Sequence, residues 1–302
     1  MIRFTLRQLQ FAISVAEAGS VAAAAEVLGV AQPSISAALM KLEGQIGLQL
    51  FIRHHAQGMT PTPEGQRFLN EARHLLRQAR DLQRQAGEAK GPVAGELALG
   101  CFTTIAPVFL PEMMKRFRAL HPDASLKISE GAQEVLIEGL RGGRHDAALL
   151  YEVGLPDDIA TTHLVSLAPQ VLLPASHALA KRSRVSLVAL KDEPFILLDI
   201  APSRSYFTGL LNSLGLPAEP AYSSPSLELV RGLVGQGLGY SILVTRPHGD
   251  HSYDGQPLAI RPIAEKLAMG EIGLASLKQV RPSRIVTAFL AFAKEFFRRR
   301  AA

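Results

Sequence analysis

The stretch from Gly19 to Gly47, GSVAAAAEVLGVAQPSISAALMKLEGQIG, decides how this chain reads. Ser20 is a good helix N-cap, because its hydroxyl can accept from an orphan backbone N–H of the first turn. Val21 to Leu28 carries four consecutive alanines, so another backbone can come close to this helix. Gly29 tolerates the left-handed geometry that ends a helix. After Val30, Ala31 and Gln32, Pro33 suits the first turn of a second helix, where a missing N–H is harmless. In that helix Ile35, Leu39, Leu42 and Ile46 recur at spacings of four, three and four, which makes one apolar stripe. The face left over carries Gln32, Ser34, Ser36, Ala37, Met40 and Lys41, small polar groups and one cation that suit base edges and phosphates. The pattern predicts a helix-turn-helix whose second helix enters a DNA major groove, with an ordinary helical hairpin as the alternative.

Working outward, Ile52 to Thr60 reads as a short strand, a turn at Gly58 and a returning strand. A basic two-stranded flap beside a recognition helix is a wing, and it would bring Arg53 to phosphate or the minor groove. The run GS…AAEVL…QPSIS…LE…IG…LF.R…TPEG then resembles the N-terminal domain of LysR-type transcriptional regulators. The matching positions are Gly19, Ser20, Ala24, Ala25, Leu28, Gln32, Pro33, Ser36, Leu42, Glu43, Gly47, Leu50, Phe51, Arg53, Thr62, Glu64 and Gly65. One departure is Ala37, where the family often has a basic residue, so a contact usual in the family is missing here. The resemblance implies a sequence-specific DNA-binding regulator controlled by a small-molecule effector. Its expected DNA-contacting residues are Gln32, Pro33, Ser34, Ser36, Lys41 and Arg53. Gln32 can offer its amide edge to adenine, the two serines can donate to phosphate or a base, and Lys41 and Arg53 anchor the backbone.

With 302 residues, 47% of them apolar, the chain is long enough for more than one packed domain. Its net charge of +5 suits an anionic partner. Residues 1–90 hold ten basic against seven acidic side chains, which puts three of the five excess charges in the expected DNA-binding part. A single cysteine, Cys101, excludes an intrachain disulfide and suits a reducing cytoplasm. Arg3 and Arg7 before an Ala-rich run mimic a leader, but Leu6, Leu9, Ile13 and Ala16 keep helical spacing and read as a packing helix. No apolar run is long enough to cross a bilayer. The expected location is the cytoplasm, with no membrane partner.

Pro63 opens a long helical segment, with Phe68, Ala72, Leu75, Ala79, Leu82 and Ala86 at alternating spacings of four and three. Such a heptad seam predicts a linker helix that dimerises, placing two recognition helices on one face of a duplex; packing within its own domain is the alternative. Lys90 to Gly95 is a hinge by composition. Beyond it short apolar strands alternate with helices, which predicts parallel-rich sheets covered by helices. The expected architecture is therefore an N-terminal, mostly helical winged helix-turn-helix (1–62), a dimerising linker helix (63–90) and an α/β effector domain (91–302). By its resemblance to periplasmic binding proteins the effector domain would be two-lobed, about 91–165 with 265–302 in one lobe and 166–264 in the other. Family analogy adds a homotetramer, assembled through effector-domain contacts.

The default ligand position in such a domain is the cleft between lobes. Strand ends facing it expose helix N-terminal N–H groups, which favour anions. Thr103, Thr104, Glu130, Gln133, Ser203, Arg204, Tyr206 and Ser226 occupy such positions and are the candidate effector contacts. Arg204 would complement an acidic ligand and Glu130 would oppose one. Other features carry less. Cys101 has no second cysteine to resolve an oxidised sulfur, so a buried structural thiol is expected. His248-Gly249-Asp250-His251 lacks a further ligand in register, and no metal site is expected there. Gly235-x-Gly237-x-Gly239 closes a helix and enters a strand, the reverse of the dinucleotide fingerprint. No nucleophile elbow, phosphate-binding loop or HExxH motif occurs, so neither a catalytic residue nor a cofactor is expected. A plain small-molecule binding protein and a cytoplasmic enzyme using the cleft are the rival readings.

Overall fold

A computed structural model describes residues 3–54, 58–87 and 92–301. The chain forms two compact units, Met1–Gly91 with Gly139–Arg144, and Pro92–Glu138 with His145–Ala302. The first begins with α1 (Leu6–Ala18), held at its start by a capping box in which the Thr5 side chain accepts from the Gln8 backbone and the Gln8 side chain from Thr5. Its buried face is Leu9, Phe11, Ala12 and Val15, whereas Leu6 stays 45% exposed. The stripe is wider than the expected Leu6, Leu9, Ile13 and Ala16 because α1 packs against three other helices. The next two helices are α2 (Val21–Leu28) and α3 (Gln32–Ile46), which end at the left-handed Gly29 and Gly47. Ser20 accepts from the Ala23 N–H, and Ala24 and Ala25 form the close-approach face of α2. Ile35, Leu39 and Leu42 of α3 are fully buried, worth about 1.5–3 kcal/mol each relative to exposure.

Strands β1 (Phe51–His54) and β2 (Gly58–Pro61) pair antiparallel with Arg53 opposite Met59 and His54 opposite Gly58. Gly58 is therefore not the turn but the first residue of the returning strand, and residues 55–57 lie outside the described residues. Its glycine is required elsewhere: φ is +94°, and a Cβ would stand 2.4 Å from the Gly19 carbonyl oxygen. The neighbouring Met59 N–H donates to that same oxygen at 2.7 Å, fastening the wing to the α1–α2 turn. On the other side Glu43 Oε1 accepts from the backbone N–H groups of Leu50 and Phe51, tying the end of α3 to the wing.

Helix α4 (Pro63–Gly87) follows. Gly65, Leu69, Ala72 and Leu76 are buried against the unit's own core, while Phe68 is half-buried and meets Phe4 edge to face. The expected single seam thus divides. Ala72 serves the unit's own core, whereas Leu75 and Leu82 are 39% and 69% exposed on the outer side. Ala86 lies outside the described side chains; of the expected hinge, residues 90 and 91 lie outside the described residues, 92–94 form no helix or strand, and Gly95 opens the next strand.

The second unit runs β3 (Gly95–Phe102), α5 (Ala106–Leu120), β4 (Ala124–Gly131), α6 (Gln133–Arg141), β5 (Ala147–Tyr151), β6 (Ile159–Leu167) and β7 (Gln170–Pro174). It continues with β8 (Ile196–Leu198), α7 (Ser203–Ser213), β9 (Tyr222–Ser224), α8 (Leu227–Gly235), β10 (Ser241–Leu243), β11 (Leu258–Pro262), β12 (Gly270–Leu277) and α9 (Arg284–Ala301). One sheet has the order β4-β3-β5-β12-β6, and a second β10-β7-β11, with β8 and β9 pairing beside it. The chain leaves the first sheet after β6 and returns as β12, and these two strands run side by side, antiparallel. The sheets are less parallel than expected, since every ladder made by β7 and β12 is antiparallel. Two strands, β6 and β11, do not show in the sequence as short apolar runs. In β6 Thr161, Thr162, His163 and Ser166 dilute the apolar pattern of a half-exposed strand, and β11 offers only three apolar residues before Arg261.

Candidate nucleic-acid interface and ligand cavity

The buried stripe of α3 fixes what its other side can do. With Ile35, Leu39 and Leu42 in the core, Gln32, Pro33, Ser34, Ala37, Met40 and Lys41 are exposed and Ser36 is half-buried. Gln32 and Pro33 start the helix, where N–H groups without intrahelical partners favour a phosphate. Arg53 projects from β1, and His54 Nε2 lies 2.8 Å from Thr60 Oγ1 across the wing. Among the described residues neither Lys41 nor Arg53 is drawn into an ion pair, so both charges remain available to an anion. All six expected DNA-contacting residues therefore belong to one compact unit, five on α3 and one on the wing.

The second unit holds a cavity enclosing about 430 Å³, part of it open to solvent. Its walls come from the ends of strands in both sheets and from the first turns of α7 and α8. Thr104, Ser203 and Tyr206 of the expected set line it, together with Tyr151, Phe207 and Thr245. Thr104 is buried with its hydroxyl 3.3 Å from that of Tyr151. Burial pushes the Tyr151 phenol up to about 12, against hydrogen bonds from Thr104 and Thr245 that pull it down. Tyr206 donates to the Ala268 carbonyl at 2.7 Å, and burial raises its phenol as well. These hydroxyls are thus neutral, and the remaining wall is apolar, with Val153, Leu198, Leu227, Leu243 and Val244.

The other expected contacts stand elsewhere. Thr103 is half-buried in the turn before α5, and Glu130 is exposed near the end of β4. Gln133 is buried and donates to the Val153 carbonyl at 2.7 Å, so it braces a cavity wall without lining it. Arg204 turns to Asp199, with Nε 2.7 Å from Oδ1, and the guanidinium holds that carboxyl below its ordinary range. Ser226 is exposed and caps α8 by accepting from Leu229. Tyr151 and Thr245 were missed although the first ends and the second follows a short apolar strand, the same signal that marked Thr104.

Two tempting features take structural roles. Cys101 is buried, and desolvation followed by the nearby Glu130 charge raises its thiol far above the ordinary value, so it offers no thiolate. Gly239 closes the glycine run, where a Cβ would lie 2.1 Å from the Pro194 carbonyl oxygen. In the 248–251 loop, His251 Nδ1 pairs with Asp250 at 2.6 Å.

An outward polar helix face with a strand wing, and a small-molecule cavity between two α/β sheets, are the parts of a ligand-responsive DNA-binding regulator. Residues 6–66 match the model of bacterial regulatory helix-turn-helix proteins of the lysR family, and residues 90–298 that of the LysR substrate binding domain. The chain belongs to the LysR family of transcriptional regulators. It is 41% identical to a solved putative LysR family regulator from Pseudomonas aeruginosa, covering 98% of this chain and 99% of that one at a TM-score of 0.67. A full-length OxyR from the same organism is 26% identical with a TM-score of 0.79, over 97% of this chain and 98% of the other. The uncharacterized regulator YvbU of Bacillus subtilis is 27% identical over 97% of this chain and 99% of its own length. Among the described residues no single helix is long and apolar enough to cross a membrane.

Proposed function

We propose that α3 reads operator DNA through Gln32, Ser34 and Ser36, while Lys41 and Arg53 anchor phosphates and Pro33 sets the helix entry. The observation that carries this is the complete burial of Ile35, Leu39 and Leu42, which leaves that face free. Two copies join through the outer side of α4, where Leu75 and Leu82 stand seven residues apart and exposed. Dimers pair through their effector domains into a homotetramer. The protein works in the cytoplasm and acts by binding, without turnover.

The effector occupies the cavity formed by Thr104, Tyr151, Ser203, Tyr206 and Thr245. Neutral hydroxyls on an apolar wall suit a compact, ring-bearing molecule with few polar substituents. The α7 N-terminal turn, where Pro202 and Ser203 line the space, accommodates one acceptor or anionic substituent there. Binding favours one arrangement of the two sheets and so shifts a population between states that space the paired DNA heads differently.

Selection of genomic fragments by the purified full-length protein tests this reading. The expected product is a pseudo-palindromic site whose half-sites lie on one face of the duplex. Recovery of unrelated fragments, held no more tightly than random duplex, would overturn it.

A further inference from the structure

Outside both sites, three metal-ligating side chains converge on the strands by which the chain leaves and re-enters the first sheet. His163 Nδ1 on β6 lies 2.9 Å from Glu152 Oε2, just past β5, and 3.4 Å from Glu271 Oε2 on β12. All three ligand atoms fall within 4.8 Å of one another. We propose that Glu152, His163 and Glu271 form a binding site for a divalent transition-metal ion.

The backbone is arranged for this convergence. Along the β6–β12 ladder Glu271 faces Ser166 and Ile272 faces Val165, but Gly273 faces His163, because the register shifts there and Leu164 is skipped. Side chains alternate between sheet faces, so without that bulge His163 would point away from Ser166 and Glu271. The shift turns it onto their face. Glu152 reaches the same face by extending the β5–β12 pairing, its N–H donating to the Glu271 carbonyl at 2.9 Å. Gly273 leaves the room its carboxylate needs: a Cβ there would stand 2.5 Å from Glu152 Oε1.

His163 Nδ1 stands 2.9 Å from a carboxylate oxygen that can only accept, so without an ion the ring hydrogen sits on Nδ1 and is donated to Glu152. A metal ion would take the place of that hydrogen, with Nδ1 as the ligand and the hydrogen on Nε2. Ser166 gives its one hydroxyl proton to Glu271 Oε2, so its oxygen, 3.3 Å from Nε2, is able to accept from Nε2 in that state. Ser166 would then stand where metal-bound histidines commonly have a carboxylate, carbonyl or water as outer-shell partner. One imidazole nitrogen and two carboxylates suit zinc or another late first-row ion, with solvent completing the coordination. Glu152 sits between the cavity-lining Tyr151 and Val153, and Glu271 follows the cavity-lining Gly270. The ion would thus pin β6 to two strands, β5 and β12, whose ends line the cavity, although its binding does not depend on what occupies that cavity.

The test uses full-length protein stripped with chelator and titrated with Zn²⁺ by calorimetry, and with Co²⁺ by visible absorption. One ion per chain is expected, with Co²⁺ giving the absorption of a low-coordinate nitrogen–oxygen site. Glu152→Gln or His163→Asn should weaken binding at least tenfold. Gly273→Ala, which keeps every ligand and only crowds Glu152, should weaken it measurably, and Ser166→Ala by about tenfold through the lost outer-shell bond. His251→Ala, at the exposed His251–Asp250 pair, should leave the isotherm unchanged. Far-UV circular dichroism and DNA binding report that each variant is folded. No saturable uptake by the wild type would show that the cluster is held by the Nδ1 hydrogen bond to Glu152 alone and would overturn the proposal. Uptake that persists unchanged in Glu152→Gln and Gly273→Ala would overturn it equally.

Discussion

The two units solve recognition in opposite ways. In the first the site is the back of a helix: three buried residues of α3 face inward, and whatever lies on the far side is presented to a partner. In the second the site is a hollow, built from strand ends and helix starts spread between Thr104 and Gly270. A site on one helix is fixed by one periodicity. A site made by several segments is fixed by how two sheets pack, and its lining is chemically the same as the core. The contrast teaches where specificity resides. On α3 it lies in polar groups that water also satisfies, and in the cavity it lies in shape and a few hydroxyls.

Pairing of the reading heads carries the largest expected effect. Leu75→Glu with Leu82→Glu alters only exposed positions of α4 and leaves Leu69, Ala72 and Leu76 in the core. Sedimentation should show loss of the dimer, and operator affinity should fall about 100-fold or more, as expected when two linked contacts become one. A variant that stays dimeric with full affinity would place the interface elsewhere. Next in size, Gln32→Ala should cost roughly 1–3 kcal/mol of discrimination at one base position with little change elsewhere. Arg53→Ala should instead weaken all sequences alike and reduce the slope of affinity against salt by about one ion. If Gln32→Ala also weakens all sequences alike, the division between reading and anchoring residues on this unit is wrong.

In the cavity the corresponding change is smaller. Tyr151→Phe removes one hydroxyl from a site of several, and should cost a bound effector about 0.5–1.5 kcal/mol. Because burial lifts the Tyr151 phenol from 10.0 to about 12, it remains a donor at a pH where an ordinary tyrosine ionises. Effector affinity measured by calorimetry should therefore stay flat as pH rises to 10. The same shift works against the fold above that point. The unfolded phenol loses its proton first, so the stability that Tyr151 contributes is present below pH 10 and is lost towards about 12. Affinity that falls near 10 in the wild type but not in Tyr151→Phe would show an exposed, ionising phenol.

The same contrast explains what could be read before any coordinates. The caps Ser20 and Gly29, the stripe Ile35, Leu39 and Leu42, and the outward face of α3 follow from local rules acting over a few residues. The glycine at 58 was visible but not its reason, since the carbonyl it makes room for is at Gly19. Likewise Glu43 was legible only as a match to the family, and the approach of the Leu50 and Phe51 N–H groups gives it its partner. In the second unit Thr104, Ser203 and Tyr206 came from the rule that strand ends face a cleft, and they do line it. The rule cannot say which neighbour at a strand end turns inward. That is why Thr103 and Arg204 were grouped with residues they do not join. Strand β6 was overlooked because its bulge and polar face break the alternation that identifies a strand, and the cluster around His163 was hidden with it.

Arg204 gives the finest comparison between the two surfaces. Among the described residues Lys41 and Arg53 make no ion pair, whereas Arg204 is held by Asp199 through two hydrogen bonds. An exposed pair of this kind adds little stability. What it adds is present at neutral pH and disappears as acid protonates Asp199, whose carboxyl the Arg204 hydrogen bond holds below the ordinary range. Its larger consequence is for ligand charge. While Asp199 holds the guanidinium, no cation is among the described residues that line the cavity, and on the proposed reading an acidic effector would have the α7 helix start alone. Asp199→Asn should release Arg204 without disturbing the buried wall of Leu198, Ser203 and Phe207. Calorimetry with matched ring carboxylates and their neutral amides should then show a several-fold gain for the acids only. An equal gain for both would mean that the substitution had reshaped the cavity, and no gain at all would mean that Arg204 cannot reach the ligand even when freed.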